Sequence, residues 1–422
     1  MVSDQFIHDF LATLITFLVV AYLLRLLVRR LARSRDGLRI GAPVAAALGI
    51  RILAAAVIGQ LSVAATLRGG DEVAFLARAH SVATTSPGSP VWNHELTHEL
   101  HVVVLGIQKA LLDSPDFALR IGQAGLAVAG LVLLATAIYE LAGPRAALIG
   151  AWLLALEPTN IFFSTIIHKE SIMMLATGLV AYGGAIVWKR SELRAFVPIV
   201  LGCLIALATR YYAGYFLIAA SAAITLHAGI RARRESSTRA LVLVALVVML
   251  GAISGPFVWQ KSSRQSLQSL QNSQNANASD QSNLSLERVN FSTRGELITN
   301  LPTRIVDITT KPYPWQLGSA SQRFGLLGTT VFLVIVYLLI RALWRNRGSI
   351  MERAGPLVYI GFFLLLAYSL SAGNAGTAFR YRTHIVALAL CLLVTLTAAR
   401  WQESREAAAR PFPRAREPLP SH

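Results

Sequence analysis

Apolar runs of about 18 residues or more recur along most of this chain, each long enough to cross a hydrocarbon core of about 30 Å as a helix. A segment in lipid must satisfy its own backbone hydrogen bonds, so such runs dictate helices. The period-two alternation of a membrane barrel strand is absent. Composition agrees: 54% of the 422 residues are hydrophobic and 14% charged, against about a quarter charged in soluble domains. The expected fold is all-α, a polytopic transmembrane helix bundle of about 11 spans.

The formal net charge is +17, and the arginines lie mainly in short clusters between apolar runs. That pattern is topological, since basic residues accumulate in cytoplasmic loops, and no nucleic-acid motif accompanies it, so nucleic acid is not an expected partner. The first apolar run, 6–28, lacks a basic leader and a small-residue cleavage site and is read as a helix, not a signal peptide. Arg29, Arg30, Arg33, Arg35 and Arg39 follow it, which places this loop inside and the N-terminus outside. Residues 1–42 form an N-terminal span and basic loop. Residues 43–259 form a transmembrane core with an outer loop at 68–116, residues 260–322 a partly low-complexity outer loop, residues 323–400 the C-terminal spans, and 401–422 a disordered cytoplasmic tail. Within the core, the second span is 43–67, with Arg51 snorkelling near its inner end. Stretches 73–82 and 94–112 are amphipathic surface helices. Spans at 117–141 and 146–167 flank Arg145, and 171–188 follows. The run 196–226 has basic clusters at both ends and reads as two short helices meeting at Thr209-Arg210-Tyr211-Tyr212. Residues 241–259 return outward, 324–343 and 356–372 follow, 374–384 is a short outer loop, and 385–399 is the last span. Cys203 and Cys391 lie inside apolar runs and read as small buried side chains.

Several polar groups collect at the outer ends of these spans. Asp71 and Glu72 follow an outward span. As a helix cap they need no further explanation; as boundary carboxylates they would meet both an aqueous acceptor and a lipid-borne donor, and serve as catalytic base. His168-Lys169-Glu170 precede another span, where three ionisable groups are costly unless paired or used. His168 and Glu170 are candidates for a second acid/base or supporting role. Arg210 interrupts an apolar stretch, and Arg380 and Arg382, in GTAFRYRTH, sit where positive-inside statistics disfavour cations. Arginine's planar fork suits phosphate oxygens, so Lys169, Arg210, Arg380 and Arg382 are candidate ligands of a donor phosphate.

One motif points elsewhere. His94-Glu95-Leu96-Thr97-His98 has the H-E-x-x-H spacing, which on a helix puts both histidines on one face toward zinc, with the glutamate as base. Asn93 is the expected N-cap. Against a zinc protease stand the lack of a third ligand at a familiar spacing and the outer cations the motif leaves unexplained. His94 and His98, with Glu72, remain candidate ligands for a divalent metal serving another chemistry.

The order of features resembles a known family. Asp71-Glu72 after an outward span, a loop with surface helices, Arg120 in DFALRIGQAGLAVAG, Gly143-Pro144, and ALIGAWLLALEPTNIFFSTIIHKESIMMLATGLVAYGG together resemble the GT-C superfamily of polytopic glycosyltransferases. The nearest likeness is to protein O-mannosyltransferases and lipid A aminoarabinose transferases, the glycosyltransferase family 39-like group. The likeness runs from about residue 43 to 212, with an echo in GNAGTAFRYRTHIVALAL. It implies a GT-C-like bundle and a polyprenyl-phosphate-linked sugar donor. It also implies a glycan, lipid or protein acceptor, and an acidic base in the first outer loop, here Asp71 with Glu72 beside it. Transfer would take place on the outer face of a bacterial plasma membrane, among membrane lipids. Two departures are the extra first span and the low-complexity second outer loop. A polysaccharide polymerase or ligase, and a flippase of lipid-linked sugars, would use the same cations; the zinc protease would not.

Overall fold

The computed structural model describes residues 4–60, 62–233, 293–316, 320–373 and 375–409, with isolated positions between 234 and 292. Among the described residues there is no strand, and eight helices are long and apolar enough to cross a membrane. They include α1 (Asp4–Ala32), α2 (Gly41–Gln60), α6 (Asp116–Leu156), α8 (Glu170–Arg190) and α10 (Tyr211–Arg233). Other helices intervene: α3 (Ser62–Thr84), and the shorter α4 (Pro90–His98), α5 (Leu100–Leu112), α7 (Pro158–Phe163) and α9 (Phe196–Thr209). After α11 (Arg294–Thr310) come α12 (Ala320–Arg345), α13 (Ile350–Ser371) and α14 (Ala375–Ala409). The expected 241–259 span, the low-complexity 260–285 stretch and the tail beyond 409 lie almost wholly outside the described residues.

Two of the helices turn back on their neighbours. Gly143, at φ 85° and ψ 179°, breaks α6 just before Pro144; φ in that region favours glycine. A Cβ on Gly150 would lie 2.4 Å from Ile138 Cδ1, whereas twelve residues of straight helix rise about 18 Å. The two halves of α6 are therefore antiparallel, as the Gly143-Pro144 turn predicts. The same reasoning applies at Arg210, where φ is −143° and ψ 85°. A Cβ on Gly214 would sit 2.7 Å from Leu207 Cα, so α9 and α10 form a hairpin with Arg210 at its tip. The break falls within Thr209-Arg210-Tyr211-Tyr212, where the sequence places it. Small residues let helices approach: a Cβ on Gly178 of α8 would be 2.5 Å from the Gly130 carbonyl oxygen of α6.

Helices α6, α8 and α14 are mostly buried, while α1 exposes Phe6, Phe10, Leu18 and Leu23, an apolar face suited to lipid. The polar groups gather at the two ends of this bundle. At one end Arg35 Nε donates to Glu140 at 2.7 Å, Arg190 meets the same carboxylate at 2.8 Å, and Arg231 lies 5.0 Å from the Trp188 ring centroid. Three of the arginine clusters expected from the sequence to lie at cytoplasmic turns thus meet at one end of the bundle.

Several boundaries differ from the sequence reading, each for a physical reason. Asp71 and Glu72 lie in the middle of α3, which begins at Ser62, so neither caps a helix. The 94–112 stretch is two helices, interrupted at Glu99 with φ −145° and ψ 52°. Helix α4 begins at Pro90, capped by the Ser89 hydroxyl, which accepts from the Trp92 N–H; Asn93 instead donates to the Gly88 carbonyl. The span read as 146–167 ends at Leu156, where Glu157 accepts from the Thr159 and Asn160 N–H groups and starts α7. Helix α14 starts at Ala375, so Arg380, Arg382 and His384 are on a helix and not in a loop. Arg51 does not snorkel: it is fully buried and donates to Ser164 Oγ at 2.8 Å and to the Ala47 and Ala155 carbonyls.

Candidate active site

The opposite end of the bundle carries the sequence-predicted groups. Neighbouring residues on a helix point about 100° apart, and α3 uses that angle to separate its two acids. Glu72 turns inward, is buried, and is bound by Arg120 of α6; Arg120 also donates to the Thr165 carbonyl at 3.2 Å. Asp71 turns outward, with 53% of its side chain exposed, and meets Arg380 Nη1 at 2.6 Å. This pair joins residues 309 positions apart. The two groups therefore touch directly.

Around this pair the wall is polar and aromatic. Arg380 Nη1 donates to His168 Nδ1 at 3.1 Å. A guanidinium has no acceptor, so that ring nitrogen carries a lone pair and not a proton. Phe75, one helical turn beyond Asp71, packs its ring against His101 and His168, with centroids 4.3 and 6.0 Å away. Lys169 Nζ sits 5.6 Å from the Phe75 centroid and 2.5 Å from Glu99. Burial pushes the Asp71 carboxyl up, but Arg380 outweighs it and holds the group below its ordinary value. Burial lowers Lys169, partly offset by Glu99, and burial next to Lys169 and Arg210 pushes His101 well down.

Arg210 and Glu170 form a separate, deeper pair at 2.5 Å, with side-chain exposures of 5% and 1%. The guanidinium lies 4.6 Å from the Tyr381 centroid. Tyr381 stacks on Tyr368 and shares a hydrogen bond with Tyr212. His384 links Tyr368 Oη to the Glu170 carbonyl. Arg382 is not part of either cluster. Positions two apart on a helix diverge by about 200°, and Arg382 points away from Arg380, fully buried. It donates to the Ile308 carbonyl at 2.9 Å, to Thr329 Oγ1 at 2.6 Å and to the Lys311 carbonyl.

The structure thus brings Asp71, His168 and Arg380 together, places Lys169 beside them, buries Arg210 with Glu170, and sends Glu72 and Arg382 elsewhere. Sequence reasoning missed Glu99 and the tyrosines. Tyr381, set between two arginines in FRYRTH, carried the one available signal; Glu99 had none, because its partner Lys169 is remote in sequence.

The H-E-x-x-H segment is helical, but its parts are otherwise engaged. Glu95 is buried and held by Arg78, whose Nε donates at 3.0 Å. His94 and His98 stack face to face at 4.7 Å, and His98 Nδ1 lies 3.0 Å from the His94 carbonyl oxygen. Among the described residues no three His, Cys, Asp or Glu side chains converge as a metal site. Glu95→Gln is expected to keep sugar transfer within about threefold of wild type and to lower stability, since it neutralises the buried partner of a pair whose arginine is partly exposed. Transfer assays with thermal unfolding check this; loss of a peptidase activity in this variant would restore the protease reading.

No curated protein and no solved structure matches the chain. Residues 101–259 do match the family model described as dolichyl-phosphate-mannose-protein mannosyltransferase. That stretch carries His168, Lys169, Glu170 and Arg210, and lies between Asp71 and Arg380 in sequence. With the helical bundle and the resemblance read from the sequence, this match supports a GT-C-like multi-pass membrane glycosyltransferase.

Proposed function

We propose that this protein transfers a sugar from a polyprenyl-phosphate donor to an acceptor hydroxyl on the outer face of a bacterial plasma membrane, with Asp71 as general base. The observation that carries the reading is the Asp71–Arg380 pair, half exposed at the end of the bundle opposite the Arg35–Glu140–Arg190 network. An accessible carboxylate and an arginine in contact, where a lipid headgroup would rest, are the base and the phosphate ligand such a transfer needs.

The pair also suggests an order of events. In the free protein Arg380 is engaged by Asp71. A donor phosphate competes for the guanidinium, which suits two oxygens at once. As Arg380 moves to the phosphate, Asp71 loses the cation that depressed it and becomes a stronger base. It then takes the proton of the acceptor hydroxyl while that oxygen bonds to the anomeric carbon from the face opposite the phosphate. The carbon–oxygen bond to phosphate breaks, the electron pair leaves with the phosphate, and Arg380 meets the developing charge. The product is inverted at the anomeric carbon. His168 holds Arg380 from behind, and Lys169 supplies a second cation at the rim. The hydrocarbon chain of the donor would lie against the helices below.

Arg380→Ala is the direct test. A charged hydrogen bond contributes about 1.5–3 kcal/mol, so donor affinity and rate should fall about ten- to a hundredfold. The acid limb of the pH–rate profile should also move up. With Arg380 present the carboxyl stays ionised below the ordinary carboxylate range; without it burial dominates, and the base protonates at a higher pH. Donor binding and transfer by purified protein in lipid provide the measurement. Donor translocation without transfer would instead make the protein a flippase, and unchanged donor affinity in Arg380→Ala would remove it from the phosphate site.

A further inference from the structure

Next to the last helix lies a cleft of about 590 Å³ that the transfer chemistry leaves unused, lined by Thr303, Val306, Asp307, Lys311, Tyr313 and Trp315 among others. Its size falls within the usual range for small-molecule sites, about 300–1,000 Å³. Two features give it a chemical character. Tyr313 and Trp315 stack with ring centroids 4.9 Å apart and planes 14° from parallel, and Trp315 is 78% exposed. One broad aromatic face is thus held by its neighbour and open outward. Beside it Asp307 and Lys311 pair at 3.1 Å, with side-chain exposures of 8% and 11%, so a fixed acceptor and a fixed donor stand at the edge of the aromatic face.

The cleft is built on rigid parts. Arg382 donates to the Ile308 and Lys311 carbonyls on either side of the turn and to Thr329 Oγ1 of α12. A Cβ on Gly325 would lie 3.5 Å from Pro312 Cγ, so the turn packs closely on α12. Helix α14 therefore carries Arg380 toward Asp71 on one side and Arg382 toward the cleft on another.

We infer that this cleft is a second sugar subsite, which holds a ring of a carbohydrate acceptor beside the transfer centre. A pyranose or furanose presents a face of C–H groups that packs on an aromatic plane, and a rim of hydroxyls that both accept from an ammonium and donate to a carboxylate. The exposed Trp315 face and the Asp307–Lys311 pair match those two requirements. A neutral glycan also suits a pair whose charges cancel, whereas a phosphate would be repelled by Asp307. The subsite rests on the transferase reading for its purpose, and its binding can be measured without any transfer.

The test uses the full-length protein in lipid nanodiscs with soluble trisaccharides of mannose, glucose, galactose and arabinose, observed by saturation-transfer NMR. Wild type should bind at least one of them in the millimolar range or tighter. Trp315→Ala should weaken that binding at least tenfold, Trp315→Phe should stay within threefold, and Asp71→Asn should bind as wild type. The subsite is overturned if wild type binds none of the four or if Trp315→Ala binds equally well. It is also overturned if Asp71→Asn abolishes binding, which would put the sugar at the transfer centre. Quenching of the Trp315 contribution to fluorescence by brominated lipids would overturn it too, making the ring a membrane anchor. Failure of the transferase reading shows separately, as donor translocation without sugar transfer by the wild-type protein.

Discussion

Asp71→Asn is expected to bind donor at least as well as wild type and to lose about two to four orders of magnitude in transfer rate, the usual contribution of a positioned general base. The amide is nearly the same size and cannot take the acceptor's proton. It also no longer competes as a charge for Arg380, so the phosphate meets a less engaged guanidinium. Stability should change by less than about 1 kcal/mol, because half of the carboxylate is exposed and such pairs contribute little. Glu72→Gln, one residue on, should behave in the opposite way. Its partner Arg120 is buried with it, so the loss appears in folding and only secondarily in rate. Single-turnover transfer, donor binding and thermal unfolding on both variants separate the two roles. Transfer at the wild-type rate by Asp71→Asn would falsify its assignment as base.

The second large effect concerns Arg210. Removal of one partner from a buried ion pair leaves the other charge unpaired in a poor solvent and costs about 3–5 kcal/mol. Arg210→Ala removes the nearest countercharge of Glu170, whose side chain is 1% exposed, and strips the cation from the Tyr381 face. The expected result is a sharply lower unfolding temperature in micelles, with part of the loss recovered in the double variant Arg210→Met, Glu170→Gln. If Arg210 served chiefly as a phosphate ligand, the pattern would reverse: weaker donor binding with unchanged unfolding.

The contrast between Arg210 and Arg380 shows where sequence reading succeeds and where it stops. The reversal at Arg210 was legible because a cation interrupts an apolar run with basic clusters at both ends. The Gly143-Pro144 turn was legible from two residues whose backbone preferences end helices. Asp71 and Arg380 were legible as groups at one end of the bundle, because both sit at the ends of apolar runs. Their contact was not, since an ion pair 309 residues apart leaves no local pattern. Arg380 and Arg382 were grouped because GTAFRYRTH looks like a polar loop. The helix continues through it, since Tyr381 and Arg382 find buried partners that lengthen the ordered span, and helical geometry then sends the two arginines apart. Glu72 was grouped with Asp71 for the same reason, and the same angle separates them.

A carboxylate that must let go of its arginine before it can act ties two ligands together through one side chain. Let donor binding raise acceptor affinity by some factor, because a carboxylate freed from Arg380 is a better hydrogen-bond acceptor for the incoming hydroxyl. Thermodynamic reciprocity then requires the acceptor to raise donor affinity by the same factor. On the proposed roles, each substrate would act as an effector of the other over the 2.6 Å that separates Asp71 from Arg380. The cooperativity needs no movement of subunits or domains, only the exchange of one guanidinium between two anions.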